Sequence, residues 1–254
     1  MKRRNWSHDE LILTFNLYCK TPFGRLHRQN PEVIELARLI GRTPSAVSWK
    51  LVNFASLDPT LKKRGISGAS HGSIADQAVW DEFNHDWDRL AFESERLRAQ
   101  LAGSPLAPAS STTSESPPGA EREAMIRVRV NQSFFRAAIL AAYASTCCIT
   151  GLAVPELLIA SHIVPWSIDP NNRVNPCNGL CLNALHDRMF DRGFLTITAR
   201  YTVKVSKRLA RTQKLGTIAE SILAYDGRPI QLPDHFLPDP KFLDYHEQNI
   251  FIHE

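Results

Sequence analysis

The chain has no apolar run near the ~20 residues that a membrane-spanning helix needs, so no role inside a bilayer is expected of it. It lacks an apolar stretch behind the basic start Lys2-Arg3-Arg4, so a secretory signal peptide is not expected either. It also lacks an even set of cysteines at regular spacing. The five present are Cys19, the adjacent Cys147 and Cys148, Cys177 and Cys181, which is not a disulfide framework. No internal repeat is evident. These absences make the cytoplasm the default location.

What is present is ordinary in amount and uneven in placement. Hydrophobic content of 43% and charged content of 22% over 254 residues fit one large or two modest globular domains. The net charge is only +4, yet residues 1–64 hold twelve Lys/Arg against five Asp/Glu, and residues 127–214 hold twelve against four. Residues 215–254 reverse the balance, with two against seven. Two basic blocks suit a polyanionic partner such as nucleic acid. Between Ala102 and Ala120 the composition turns to Ser, Pro, Ala, Thr and Gly, which reads as a flexible linker. The expected organisation is a helical domain over 1–100, a linker over 101–123 and a second domain over 124–254 ending in an acidic tail.

In the first block, Ser7 is placed to cap a helix whose first turn holds Asp9 and Glu10. A short amphipathic helix follows over Glu32 to Leu39, then Gly41-Arg42, then Thr43-Pro44 as the cap and first position of another helix reaching Phe54. Helix, glycine turn and capped helix resemble the helix-turn-helix of DNA-binding proteins. That resemblance puts Ser45, Ser48, Trp49 and Lys50 near the exposed face of the second helix, and Arg42 and Lys50 near phosphates. Lys62 to Gly68 is a basic Gly/Ser loop that can touch a DNA backbone or stay solvated. One further amphipathic helix is expected over Ala75 to Leu97, its aromatics serving as core.

The second block has a helix over roughly Gln132 to Ser145, a Cys148-Ile149-Thr150-Gly151 turn, and an apolar strand carrying His162. Pro165-Trp166 stops the strand, and a polar loop leads to Asn178-Gly179. From there an amphipathic run reaches His186 and Phe190-Asp191, read as a helix opening at Asn178. Phe194 to Thr198 and Tyr201 to Val205 alternate as a hairpin, and the tail from Gly227 packs back through Phe242, Leu243, Tyr245 and Phe251.

Ala-x-His-Ile-x-Pro-Trp followed by Asn-Gly-Leu-x-Leu-x-x-x-His-x-x-x-Phe-Asp resembles the HNH (ββα-metal) nucleases, over roughly residues 125 to 210. The resemblance implies an α+β protein, with an all-α helix-turn-helix-like domain before a ββα-metal domain. It implies hydrolysis of DNA phosphodiester bonds with a divalent ion, Mg2+ with Mn2+ or Ni2+ as alternatives. His162 corresponds to the general base, Asn178 to the loop brace and His186 to the metal-binding histidine; Asp191 is a candidate second ligand. Arg173, Arg188 and Arg192 surround the motif as candidate phosphate contacts.

The chain departs from the family pattern twice. Ser161 stands where Asp or His often precedes the base, which leaves the second ligand open among Asp191, Asp187, His246 and water. Cys148 is followed three residues on by Gly151, and Cys181 by Ala184, so the cysteine knuckles of related nucleases are incomplete and structural zinc is not expected. The organisation resembles a bacterial restriction-type enzyme, one that can depend on base modification and act as a homodimer. The competing class is a DNA-binding regulator with an inactive HNH-like domain.

Overall fold

The structure, a computed structural model, describes residues 4–63, 65, 73–104, 120–211 and 216–253. Most of the 101–123 linker and of the Lys62 to Gly68 loop lies outside them. The chain divides into two compact units, 1–141 and 142–254. The whole is α+β, mostly helical with two small antiparallel sheets. Among the described residues no helix is long and apolar enough to cross a membrane.

The first unit is built on α1 (His8–Cys19), in which every residue from Glu10 to Cys19 is buried. Ser7 and Glu10 close a capping box at its start, satisfying two amide donors that helix geometry leaves open. After a 3-10 turn come α2 (Pro31–Leu39), α3 (Pro44–Leu57), α4 (Pro59–Lys63), α5 (Ile74–Phe83), α6 (Trp87–Ala102) and α7 (Ala120–Ala142). Phe15 of α1 gathers rings from three neighbours: Phe54 at 4.9 Å, Trp80 at 5.1 Å and Trp87 at 6.1 Å between centroids. Removing such a ring costs roughly 3–5 kcal/mol, so this cluster is the unit's core.

Between α2 and α3 the chain turns at Gly41, whose φ of +66° suits a residue without Cβ. Thr43 then caps α3 through its hydroxyl, with Pro44 in the first turn. The expected single helix over Ala75 to Leu97 is two helices. Asn84, His85 and Asp86 interrupt it, and Asp86 caps α6 by accepting from the Arg89 amide. A side chain that can satisfy a new helix start outcompetes continuation of the old one.

The second unit begins in the turn after α7. A 3-10 turn at Pro155–Leu157 leads into β1 (Leu158–His162), and a long loop returns the chain as β2 (Gly179–Asn183). The strands pair antiparallel, with Leu158 opposite Asn183 and His162 opposite Gly179. Then come α8 (Ala184–Asp191), the hairpin β3 (Leu195–Ile197) and β4 (Val203–Val205), α9 (Lys207–Ala210), α10 (Thr217–Leu223) and α11 (Pro240–Asn249). β1, β2 and α8 make a ββα unit.

Gly179 to Asn183 is thus a strand rather than the opening of a helix. Gly179, Leu180, Cys181 and Leu182 are all buried, so both strand faces are apolar and no alternation shows. The helix starts at Ala184 rather than Asn178, capped by Asn183, which accepts from the His186 amide. α7 likewise begins upstream of the expected Gln132, at Ala120.

Candidate functional site

His162 ends β1, half-buried, and its Nε2–H donates to the Arg173 carbonyl at 2.8 Å. That bond fixes the tautomer in which Nδ1 carries the lone pair. Trp166 stands edge-on to the ring at 5.6 Å. Burial pulls the His162 pKa below its ordinary value, partly opposed by the Arg173 carbonyl and by Asp191. A neutral imidazole is therefore the resting state at pH 7.

Asn178 is fully buried beneath this loop. Its Oδ1 accepts from the Val164 amide at 2.8 Å, while Nδ2 donates to the carbonyls of Val164 at 3.1 Å and Asn172 at 3.2 Å. One amide side chain thus ties the exit from β1 to the entry into β2. Arg173 is held in the same loop, its Nε donating to the Trp166 carbonyl at 2.8 Å and its guanidinium 5.3 Å from the Trp166 ring centre.

α8 brings Asp191 to His162 and Asp187 to the neighbouring Ser161. Asp187 and Asp191 are four apart, hence on one helix face. Burial raises the pKa of both; the Asp191 charge raises that of Asp187 further, and Asp191 and His162 favour each other's charged form. The buried Ser161 hydroxyl sits by Asp187 and lowers its pKa, but no partner meets it in hydrogen-bond geometry. The half-buried Asp187, the exposed Asp191 and the Ser161 hydroxyl together offer an oxygen-rich group that suits a hard divalent cation. Such ions are commonly held by one or two carboxylates, with water completing the shell. Among the described residues no three His, Cys, Asp or Glu side chains are gathered as a ready-made cage.

His186 is elsewhere. Asn183, opposite Leu158 at the far end of the β-pair from His162, donates from Nδ2 to His186 Nδ1 at 3.2 Å. The buried ring stands edge-on to Tyr225 at 5.8 Å and hydrogen-bonds to Cys147. Burial would raise the Cys147 thiol pKa, but His186, the Thr150 hydroxyl and backbone amides override it and bring the value to about 6. Four side chains at two i,i+3 spacings, Cys147 with Thr150 and Asn183 with His186, meet here. The sequence reading had paired Cys148 with Gly151 and Cys181 with Ala184 instead. His246 is no ligand candidate either, since both its nitrogens are engaged, to Thr196 and to the Phe190 carbonyl.

The candidate DNA contacts divide. Arg188 and Arg192 are exposed on the site helix. In the first unit Trp49 is 66% exposed. Arg42 points inward: it pairs with Glu10 at 2.7 Å, bonds to the carbonyls of Arg4 and Asn5, and lies over Trp6. Lys50 is buried against Asp76 at 2.7 Å. Ser48 donates to the Leu26 carbonyl at 2.6 Å, and Ser45 is half-buried. Arg42 and Lys50, expected near phosphates, are thus spent on carboxylates of their own unit: α1 presents Glu10 to the turn before α3, and α5 presents Asp76 to α3 itself.

Asp187, a lesser candidate in the sequence, stands beside Ser161 in the structure. The signal was in the spacing: Asp187 and Asp191 are four apart and share a helix face, whereas His186 and Asp191 are five apart.

Residues 147–198 match the family model described as HNH endonuclease, 52 of the 254 residues. The matched segment contains β1, β2, α8 and β3, and with them every side chain of the His162 cluster. No curated protein matches the chain.

Proposed function

We propose that this protein is a metal-dependent DNA endonuclease in which His162 is the general base and Asp187 and Asp191, with the Ser161 hydroxyl, hold the divalent ion. The observation that carries the reading is the meeting of a neutral, oriented imidazole with two carboxylates on the ββα unit that matches the HNH family. Phosphodiester hydrolysis needs an activated water, and His162 Nδ1 has the lone pair and the pKa to take its proton at neutral pH. A bound cation supplies charge neutralisation at the phosphoryl group and the leaving oxygen. Asn178 holds the loop that aims His162, through both faces of the Val164 peptide. Mg2+ fits the oxygen ligand set, with Mn2+ and Ni2+ as substitutes. His186, assigned to the metal on sequence grounds, takes a structural part with Cys147 in this reading.

The remaining parts of the proposal concern the substrate. Arg188 and Arg192 flank the carboxylates from the exposed side of α8 and meet phosphates there, with Arg173 framing the loop. The α2–α3 pair is helix-turn-helix-like and offers Trp49, with Ser45 beside it, to the duplex. A site of this kind cuts one strand, so double-strand breaks require a homodimer or two successive nicks. A restriction-type role with dependence on base modification fits a DNA-reading unit joined to a cutting unit.

Supercoiled plasmid incubated with the protein and Mg2+, Mn2+ or Ni2+ tests the reading. Nicking that vanishes with EDTA and in His162→Ala, while DNA binding persists, supports it. Binding without nicking under every metal would leave a DNA-binding regulator. Plain, methylated and hydroxymethylated plasmids compared side by side test the dependence on modification.

A further inference from the structure

We infer that His246, on the C-terminal helix α11, is a positioning residue for the cutting site, acting through the backbone of α8 at Phe190. His246 is 1% exposed. Its ring stacks on Phe190, with centroids 3.6 Å apart and planes 15° from parallel. Nε2–H donates to the Phe190 carbonyl at 3.1 Å, and Thr196 Oγ1–H donates to Nδ1 at 2.8 Å. The imidazole therefore bridges the end of α8 to β3, and both its edge and its face are committed to that bridge.

The location gives the bridge its purpose. Phe190 immediately precedes Asp191, and its carbonyl, in the last turn of α8, accepts from the Gly193 amide at 3.0 Å as well as from His246. An eight-residue helix has little stability of its own, so the rotation and position of its final turn depend on what packs there. A second contact reinforces the first. The Ile252 amide donates to the Gly193 carbonyl at 2.9 Å, and a Cβ on Gly193 would lie 2.1 Å from the Ile250 carbonyl oxygen. The tail thus grips the two residues on either side of Asp191 and Arg192. His246 touches neither DNA nor metal; it sets where the Asp191 carboxylate stands relative to His162. The inference rests on the assignment of Asp191 to the metal.

The test compares His246→Leu, which keeps apolar volume and loses both hydrogen bonds, with His246→Gln, whose amide can donate to Phe190 and accept from Thr196. Thr196→Val is the milder variant should the first not fold. Mn2+ binding and plasmid cleavage are measured on each full-length protein. The expected result is a 10- to 100-fold loss of Mn2+ affinity and of kcat in His246→Leu, with KM for DNA unchanged and most of the loss restored in His246→Gln. Equal loss in both variants, a change confined to KM, or wild-type values in His246→Leu overturns the inference. If wild-type protein neither binds Mn2+ nor cuts, the nuclease reading fails by itself. Amide exchange at 192–194 then decides the bridge: faster exchange in His246→Leu supports it, and unchanged exchange overturns it.

Discussion

Asn178 holds Val164 by both sides of its peptide, accepting from the amide at 2.8 Å and donating to the carbonyl at 3.1 Å. Two residues back along the chain is His162. Replacing Asn178 with Ala leaves the two buried Val164 backbone groups without this partner, at a cost of roughly 1–3 kcal/mol each before water compensates. Cleavage should fall at least tenfold, and thermal melting should register the loss. Asn178→Asp keeps the acceptor and loses the donor, so it should fall between the two.

His162→Ala should remove cleavage and spare affinity. General-base catalysis contributes about 10²- to 10⁴-fold, whereas DNA affinity comes mainly from phosphate contacts. Filter binding and nicking on the same preparation check it, and wild-type cutting by the variant removes His162 from the mechanism.

The two carboxylates and His186 are separable by mutation. Asp187→Asn or Asp191→Asn should raise the metal concentration needed for cutting by at least tenfold at near-native stability. His186→Gln should do the reverse, losing stability by on the order of 1–3 kcal/mol as its bonds to Asn183 and Cys147 go, with the metal requirement little changed. A shifted metal requirement in His186→Gln would return it to the metal site.

Much of this was legible in residue order, and the exceptions have physical causes. The starts of α1 and α3 were readable because Ser7 and Thr43-Pro44 carry the capping chemistry in their own side chains. The β3–β4 hairpin showed in its alternation. β2 did not, since a strand buried on both faces has no period of two, and Gly-Leu-Cys-Leu can equally be the inside of a helix. That misreading put the start of α8 at Asn178, ahead of its actual cap at Asn183. The inward turn of Arg42 and Lys50 was beyond local pattern, because Glu10 and Asp76 are 32 and 26 residues away.

Lys50 and Trp49 are adjacent and should behave in opposite ways. Lys50→Ala strands the buried Asp76 carboxylate and should cost about 3–5 kcal/mol, with little change in the salt dependence of DNA binding. Trp49→Ala should stay within ~0.5 kcal/mol of wild type in stability and weaken DNA binding. Chemical denaturation and salt titrations of binding check both.

Acid should loosen the second unit through His246. Burial, slightly offset by the Phe190 carbonyl, holds its pKa at about 4 against an ordinary 6.5. The folded state thus takes up this proton less readily than the unfolded one. The associated stability is whole above pH 6.5 and drains away as pH falls toward 4, on the order of 3 kcal/mol in full. Denaturant titrations at pH 7 and pH 4.5 should show the decline in wild type and a smaller one in His246→Gln.

Gly193 sits where the end of the family-matched stretch and the far tail come within a bond's breadth of collision. A fragment trimmed to residues 147–198 would keep each reactive group yet shed the wall that α8 leans on. The packing that supports α8 therefore runs on to Ile252, more than fifty residues past the end of the matched stretch.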